Sequence, residues 1–96
     1  MRVVYIVSAE NKQKAEDLLK KDDVVSRGSI LIRSAGSLGF DEDGYFIIYD
    51  SSDESVKLAD GLVLGIAKRF EKAKEVLDAV DEQESSAMEG FGNILG

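Results

Sequence analysis

Apolar residues recur at seven-residue intervals between residues 56 and 80, and this spacing is the strongest pattern in the chain. One series is Val56, Val63, Phe70 and Leu77, and the other is Ala59, Ile66, Ala73 and Val80. A seven-residue period predicts one long helix with a single apolar stripe. Ser51 and Glu54 form a capping-box pattern at its start, and Asp53 adds negative charge where a helix dipole favours it. The pattern therefore predicts a helix over residues 52–82.

A helix of this length is too long for the sheet that the rest of the chain can supply. It would extend for roughly 45 Å at about 1.5 Å per residue, whereas a five-residue strand spans only about 17 Å. Gly61 and Gly65 each weaken its interior by about 1 kcal/mol relative to alanine. We expect either a kink or break at one of these glycines, or an end that projects beyond the sheet.

The middle of the predicted helix is apolar all round, which indicates burial on every side. One side should face the sheet, and the other needs cover from another helix, from the tail or from a second copy. We predict a homodimer whose interface includes residues from 58 to 70. The predicted interface side chains are Leu58, Leu62, Leu64 and Phe70.

The first half of the chain predicts three strands and one helix. Val3–Val7 is a continuous apolar run, which is typical of a strand buried on both faces. Ser8 can cap a helix that begins near Ala9, has Lys20–Lys21 in its last turn and ends in Asp22–Asp23. Ser29–Arg33 reads as the second strand, and it would pair in parallel with the first if the two are neighbours.

The segment Asp41-Glu42-Asp43-Gly44 predicts a hairpin turn, since Asp-Gly between β-rich flanks is a strong hairpin signal. Tyr45–Tyr49 is the third strand, and part of 37–40 should pair with it in the antiparallel sense. The expected fold is therefore α+β: a two-layer β-α-β-β-α chain with a small mixed sheet covered on one face by two helices. Residues 1–84 form one domain, and residues 85–96 form a C-terminal tail.

The residue types that are missing exclude several kinds of chemistry. The 96 residues include no Cys, His, Pro, Trp or Thr. The chain therefore has no disulfide framework, none of the usual zinc sites and few ways to build a nucleophile–base pair. We expect no cofactor and no catalysis. Scarce Asn and Gln beside abundant Lys and Glu suit a thermophilic source. The general character resembles that of a small archaeal protein, and a cytoplasmic location is expected.

The net charge of −7 is concentrated in one segment, since residues 41–60 carry seven acids and one base. Nucleic acids are bound mainly by neutralising phosphates with Lys and Arg, so this acidic domain is a poor nucleic-acid binder. Lys68, Arg69 and Lys72 could form a local basic face, but solvated ion pairs with Glu71 and Glu75 are the simpler explanation. No apolar run approaches the ~18 residues of a membrane span.

Three acidic side chains in the hairpin turn form the candidate metal site. Asp41, Glu42 and Asp43 could bind a hard divalent cation such as Ca²⁺ through several carboxylate oxygens. The spacing does not match an EF-hand loop, because Gly44 comes too early and the twelfth position is Ser52. A solvated turn explains the same residues without any ligand.

Two further patterns have structural explanations that compete with functional ones. The small residues of 34–39, beside Arg33, could surround a phosphate, but phosphate loops lead into a helix and this segment leads into a strand. Carboxylates at Asp50, Asp53, Glu54 and Asp60 could supply a carboxylate-only active site. Helix-start electrostatics and surface charge account for them as well.

Gly61 and Gly65 are spaced for close helix–helix contact, although a kink or tight packing on the sheet would also use them. The tail contains Phe91, Ile94 and Leu95 among glycines. These side chains either fold back onto the domain or dock onto a protein partner. The sequence thus favours a small, acidic, non-catalytic interaction or regulatory module that self-associates. The alternatives are a domain that binds a divalent cation or small ligand through the acidic turn, and an enzyme with a carboxylate-only site.

Overall fold

The computed structural model describes the backbone of residues 1–95 and the side chains of residues 1–84. Its main elements are β1 (Arg2–Val7), α1 (Lys12–Lys21), β2 (Ser29–Ser34), β3 (Tyr45–Asp50), α2 (Asp53–Leu62), β4 (Ala67–Arg69) and α3 (Ala73–Leu95). Short 3-10 turns at Val25–Arg27 and Gly36–Leu38 lie before and after β2. The predicted α+β class is confirmed.

The four strands form one sheet in the order β2-β3-β1-β4, and all three pairings are antiparallel. β3 lies between β1 and β2, and β1 lies between β3 and β4. The chain therefore contains two split β-α-β units, an arrangement found in ferredoxin-like folds. The sheet is antiparallel in place of the mixed sheet expected from the sequence, because β3 separates β1 from β2.

Both faces of the sheet are covered, which explains the continuous apolar sequence of β1. Val3, Tyr5 and Val7 face a first core beneath α1 and α2, whereas Val4 and Ile6 belong to a second core beneath α3. The expected two-layer arrangement thus gains a third layer. The additional helix supplies the cover that the second face of the sheet requires.

The predicted long helix is interrupted between Leu62 and Ala67, by a turn in which Gly65 has a φ of +90°. α2 ends at Leu62, and a turn leads from it into β4. The seven-residue repeat continues through this break because its residues pack into two different cores. Its first members, Val56, Ala59 and Val63, lie in the first core, and its later members, Phe70, Ala73, Leu77 and Val80, lie in the second.

The β2–β3 hairpin differs from the predicted one. β2 itself pairs with β3, ending with Ser34 opposite Tyr45. Residues 36–38 form a 3-10 turn, so the predicted pairing of 37–40 does not occur. Gly44 does adopt a positive φ, +112°, as the turn prediction requires.

The two helix starts also shift along the chain. α1 begins at Lys12 rather than near Ala9, although the Ser8 hydroxyl oxygen still accepts a 3.3 Å hydrogen bond from the Asn11 N–H. α2 is capped by Ser52, whose Oγ accepts from the Ser55 N–H at 3.2 Å. The N-cap is therefore Ser52 rather than Ser51, and Ser55 rather than Glu54 lies at the third helical position.

α3 continues past residue 84, which is the last residue whose side chain the structure describes. The predicted docking residues Phe91, Ile94 and Leu95 lie outside the described side chains. Within residues 1–95, no helix is both long enough and apolar enough to cross a membrane.

Candidate interaction surface

The turn between α2 and β4 carries a solvent-exposed leucine. Leu64 is 83% exposed, whereas Val63 beside it is 1% exposed. The Ile66 N–H donates to the Val63 carbonyl at 3.0 Å, and the Ala67 N–H donates to the same oxygen at 2.9 Å. Gly65 permits the positive φ between them. The turn is thus anchored on both sides, and its apolar tip points away from the first core.

A cleft of about 470 Å³ opens beside this turn. Its wall and floor are mainly apolar and include Ile6, Val7, Leu64, Ile66 and Ala67. Asp43 and Lys68 also line it, and we call the surface formed by these seven residues the apolar cleft. An exposed apolar side chain next to an apolar recess is the kind of surface that proteins use for association.

One acidic and one basic side chain line the apolar cleft from opposite sides. Asp43 precedes β3, and Lys68 lies in β4 directly opposite Ile6 of β1. Because β1 runs between β3 and β4, these two charges flank the end of β1. Both residues are exposed, and within residues 1–84 neither forms an ion pair.

A second cleft adjoins the first and shares Ile6 and Lys68 with it. Its remaining lining residues are Glu42, Arg69, Phe70 and Glu71. The surface around the apolar cleft therefore carries charges of both signs. A mixed-charge rim around an apolar centre is typical of protein interfaces.

A hydrogen-bonded cluster of Tyr5, Asp60 and Arg69 fixes the position of the turn. The Tyr5 hydroxyl donates to Asp60 Oδ1 at 2.6 Å. Arg69 donates to both carboxylate oxygens, at 2.8 and 3.0 Å, and its guanidinium lies 5.9 Å from the centre of the Tyr5 ring. These contacts join β1, α2 and β4, so they hold both ends of the 63–66 turn.

The charges in this cluster suit a structural role better than acid–base chemistry. The hydrogen bond from Arg69 lowers the pKa of Asp60, and the bond from Tyr5 acts in the same direction. Burial, followed by the bond to Asp60, raises the pKa of Tyr5 well above its usual range. At neutral pH the carboxylate is ionised and the hydroxyl is protonated, so neither group is poised to exchange a proton.

The predicted interface residues do not share one face. Leu64 and Leu58 are exposed, at 83% and 48%. Leu62 packs against the first core, and Phe70 belongs to the second, where its ring lies 4.8 Å from that of Phe46. They separate because α2 ends at Leu62, which places Phe70 beyond β4.

The acidic turn does not gather its three carboxylates. Asp41 and Asp43 are exposed and Glu42 is half-buried. In the part of the chain whose side chains are described, no three acidic residues converge on a point where they could hold a metal ion. The cation site predicted at Asp41, Glu42 and Asp43 thus remains a prediction from sequence alone.

The other sequence candidates are also dispersed or internally bonded. In the small-residue loop, the Ser37 N–H donates to Ser34 Oγ and the Ser37 hydroxyl donates to the Ser34 carbonyl, so these groups are already used. Asp53 and Asp60 lie at opposite ends of α2. Gly61 lies in α2 but Gly65 lies outside it, so the two glycines do not form a stripe on one helix.

Comparison with known proteins leaves the surface geometry as the main guide to function. No family model matches the chain, and no curated protein or solved structure is significantly similar to it. The sequence pattern placed Leu64 among the predicted interface residues, but it gave no sign of the Tyr5–Asp60–Arg69 cluster or of the position of Lys68 beside the cleft. These residues are brought together by the order of the strands, which no local pattern encodes.

Proposed function

We propose that this protein is a non-catalytic interaction module that self-associates as a homodimer through Leu64 and the apolar cleft. The observation that carries the proposal is the 83% exposure of Leu64 on a turn that is anchored on both sides. An isolated exposed leucine needs no explanation, but one that borders an apolar recess of about 470 Å³ favours a binding surface.

The rigidity of the turn supports this proposal. The cluster of Tyr5, Asp60 and Arg69 ties both ends of the turn to the sheet. A preordered turn loses little conformational freedom when it binds, which leaves more of the contact energy available for association. A mobile loop carrying the same leucine would be a weaker binding element.

The acid–base state of the cluster supports a non-catalytic role. The pKa of Asp60 is lowered by Arg69 and that of Tyr5 is raised by burial, so both shifts move these groups away from neutral pH. General acids and bases work best with pKa values near the operating pH. Binding is therefore the function that this surface supports best.

Sedimentation velocity over a range of concentrations tests the proposal. Wild-type protein should form a dimer at high concentration, and Leu64→Glu should be monomeric because it places a charge in the apolar contact. Val24→Glu is the matched control, since Val24 is another exposed aliphatic residue, at 42%, that lies outside the apolar cleft. Wild-type protein that stays monomeric at millimolar concentration would disprove the homodimer.

A further inference from the structure

The surface around the apolar cleft has both parts of a contact between two copies, a protruding side chain and a recess. Leu64 protrudes from the surface, and the recess beside it is lined by Ile6, Ile66 and Ala67. A surface that meets its own copy across a two-fold axis must be complementary to itself. A protruding side chain next to a recess satisfies this requirement, because each copy offers a leucine to the other copy's recess.

The two charges of the apolar cleft satisfy the same requirement. Asp43 lies on the β3 side of β1 and Lys68 lies on the β4 side. A two-fold axis above the end of β1 exchanges these sides, so that each Asp43 faces a Lys68 of the second copy. Both residues are exposed and, within residues 1–84, both lack an ion-pair partner of opposite charge.

This arrangement also addresses the repulsion between two copies that each carry a net charge of −7. Two like-charged molecules associate poorly unless the charges at the contact are complementary. One acid and one base per copy make the lining of the apolar cleft neutral. Because Asp43 and Lys68 lie on opposite sides of β1, this charge pattern is complementary to itself across a two-fold axis, which favours a second copy as the occupant.

The geometry points to an isologous dimer in which Leu64 of each copy enters the apolar cleft of the other and two reciprocal Asp43–Lys68 ion pairs flank the axis. This inference rests on the homodimer proposed above and specifies its symmetry and its register. It predicts which charge substitutions weaken the dimer and which combinations restore it.

The test compares Asp43→Lys, Lys68→Glu and an equimolar mixture of the two, using the full chain and sedimentation equilibrium. Each variant alone places two like-charged pairs at the axis, so its dimer should be weakened about tenfold or more. In the mixture, a heterodimer has opposite charges in both pairs. The mixture should therefore recover an affinity within about threefold of the wild type, as should the double variant Asp43→Lys with Lys68→Glu.

Total charge provides an independent check. Asp43→Lys makes each copy less negative by two, so a dimer limited only by overall repulsion would be strengthened by this change. The reciprocal ion pairs instead predict that Asp43→Lys weakens the dimer. Asp41→Lys is the matched control, because it changes the net charge equally at an exposed position that does not line the apolar cleft. It should not weaken the dimer.

The outcomes separate this inference from the proposed function. If the wild type dimerises and Leu64→Glu abolishes the dimer, but the mixture of charge variants does not recover affinity, the two-fold register is wrong and the homodimer stands. If the wild type is a monomer, both are overturned. Circular dichroism of each variant shows whether it is folded, and recovery in the mixture cannot arise from misfolded chains.

Discussion

The Tyr5 hydroxyl lies 2.6 Å from Oδ1 of Asp60, and this bond joins the centre of the sheet to the last turn of α2. Tyr5 is 1% exposed, whereas the Asp60 side chain is 40% exposed. The pair thus connects the first core to the surface at the point where α2 ends. Arg69 completes the connection from β4.

Tyr5→Phe should destabilise the protein modestly. The substitution removes one hydrogen bond but leaves Asp60 bonded to Arg69, so the loss in unfolding free energy should be about 0.5–1.5 kcal/mol. Urea denaturation of both proteins at pH 7 measures this difference. An unchanged midpoint would mean that the bond contributes nothing to stability.

The contribution of Tyr5 should also disappear at high pH. Burial and the bond to Asp60 raise the pKa of Tyr5 in the folded protein above the unfolded value of about 10. A group with a raised folded pKa stabilises the fold fully below its unfolded pKa and loses this contribution as pH rises. The stability difference between wild type and Tyr5→Phe should therefore shrink above about pH 10. A difference that stays constant to pH 12 would contradict the assignment.

Asp60→Asn should show the opposite pH dependence. The bond from Arg69 lowers the pKa of Asp60 in the folded state, so its contribution is present above the unfolded pKa of about 3.9 and is lost as pH falls. Thermal unfolding of both proteins between pH 7 and pH 2 tests this. The wild type should be more stable at neutral pH, and the two stabilities should converge below about pH 4. Convergence that begins near neutral pH would point to a different group.

Gly44→Ala should be strongly destabilising. Gly44 has a φ of +112°, and a Cβ there would collide with the backbone carbonyl oxygen of Val7. Backbone strain and the clash together should cost at least about 2 kcal/mol. Gly36→Ala is the matched control, because a Cβ there meets nothing within 4 Å and its φ is not positive. Equal melting temperatures for the two variants would show that the β1–β3 approach tolerates a side chain.

The acidic turn should be dispensable for folding. Replacing Asp41 and Glu42 with Asn and Gln removes two negative charges from the most acidic segment, so the melting temperature should stay within about 2 °C or rise slightly. Differential scanning calorimetry with Ca²⁺ and with a chelator checks this. A wild-type melting temperature that rises with Ca²⁺, in a way the double variant does not reproduce, would instead establish the predicted cation site.

Local patterns predicted most of the elements. The continuous apolar run of β1, the capping residues near α2 and the conformation of Gly44 all act over a few residues, so they can be read directly from the chain. Boundaries were displaced by one to three residues because adjacent serines and polar residues can each satisfy a helix end, as Ser51 and Ser52 illustrate.

The seven-residue repeat shows how a correct pattern can support an incorrect element. Val56 and Phe70 have the spacing of one helical stripe, yet they lie in cores on opposite faces of the sheet. The sequence contains the apolar positions and the glycine at residue 65, which lies in the turn after α2. No local pattern identifies the partner that makes β4 a strand, because Lys68 pairs with Ile6, which lies 62 positions earlier.

By itself, the sequence determined the α+β class and the exclusion of thiol and imidazole chemistry, because these depend on residue types and short-range spacing. Only the tertiary structure decided the strand order, the second covered face and the approach of Asp43 and Lys68 to the same cleft. These features depend on pairing between distant strands, whose register follows from how the whole set of apolar side chains is buried at once.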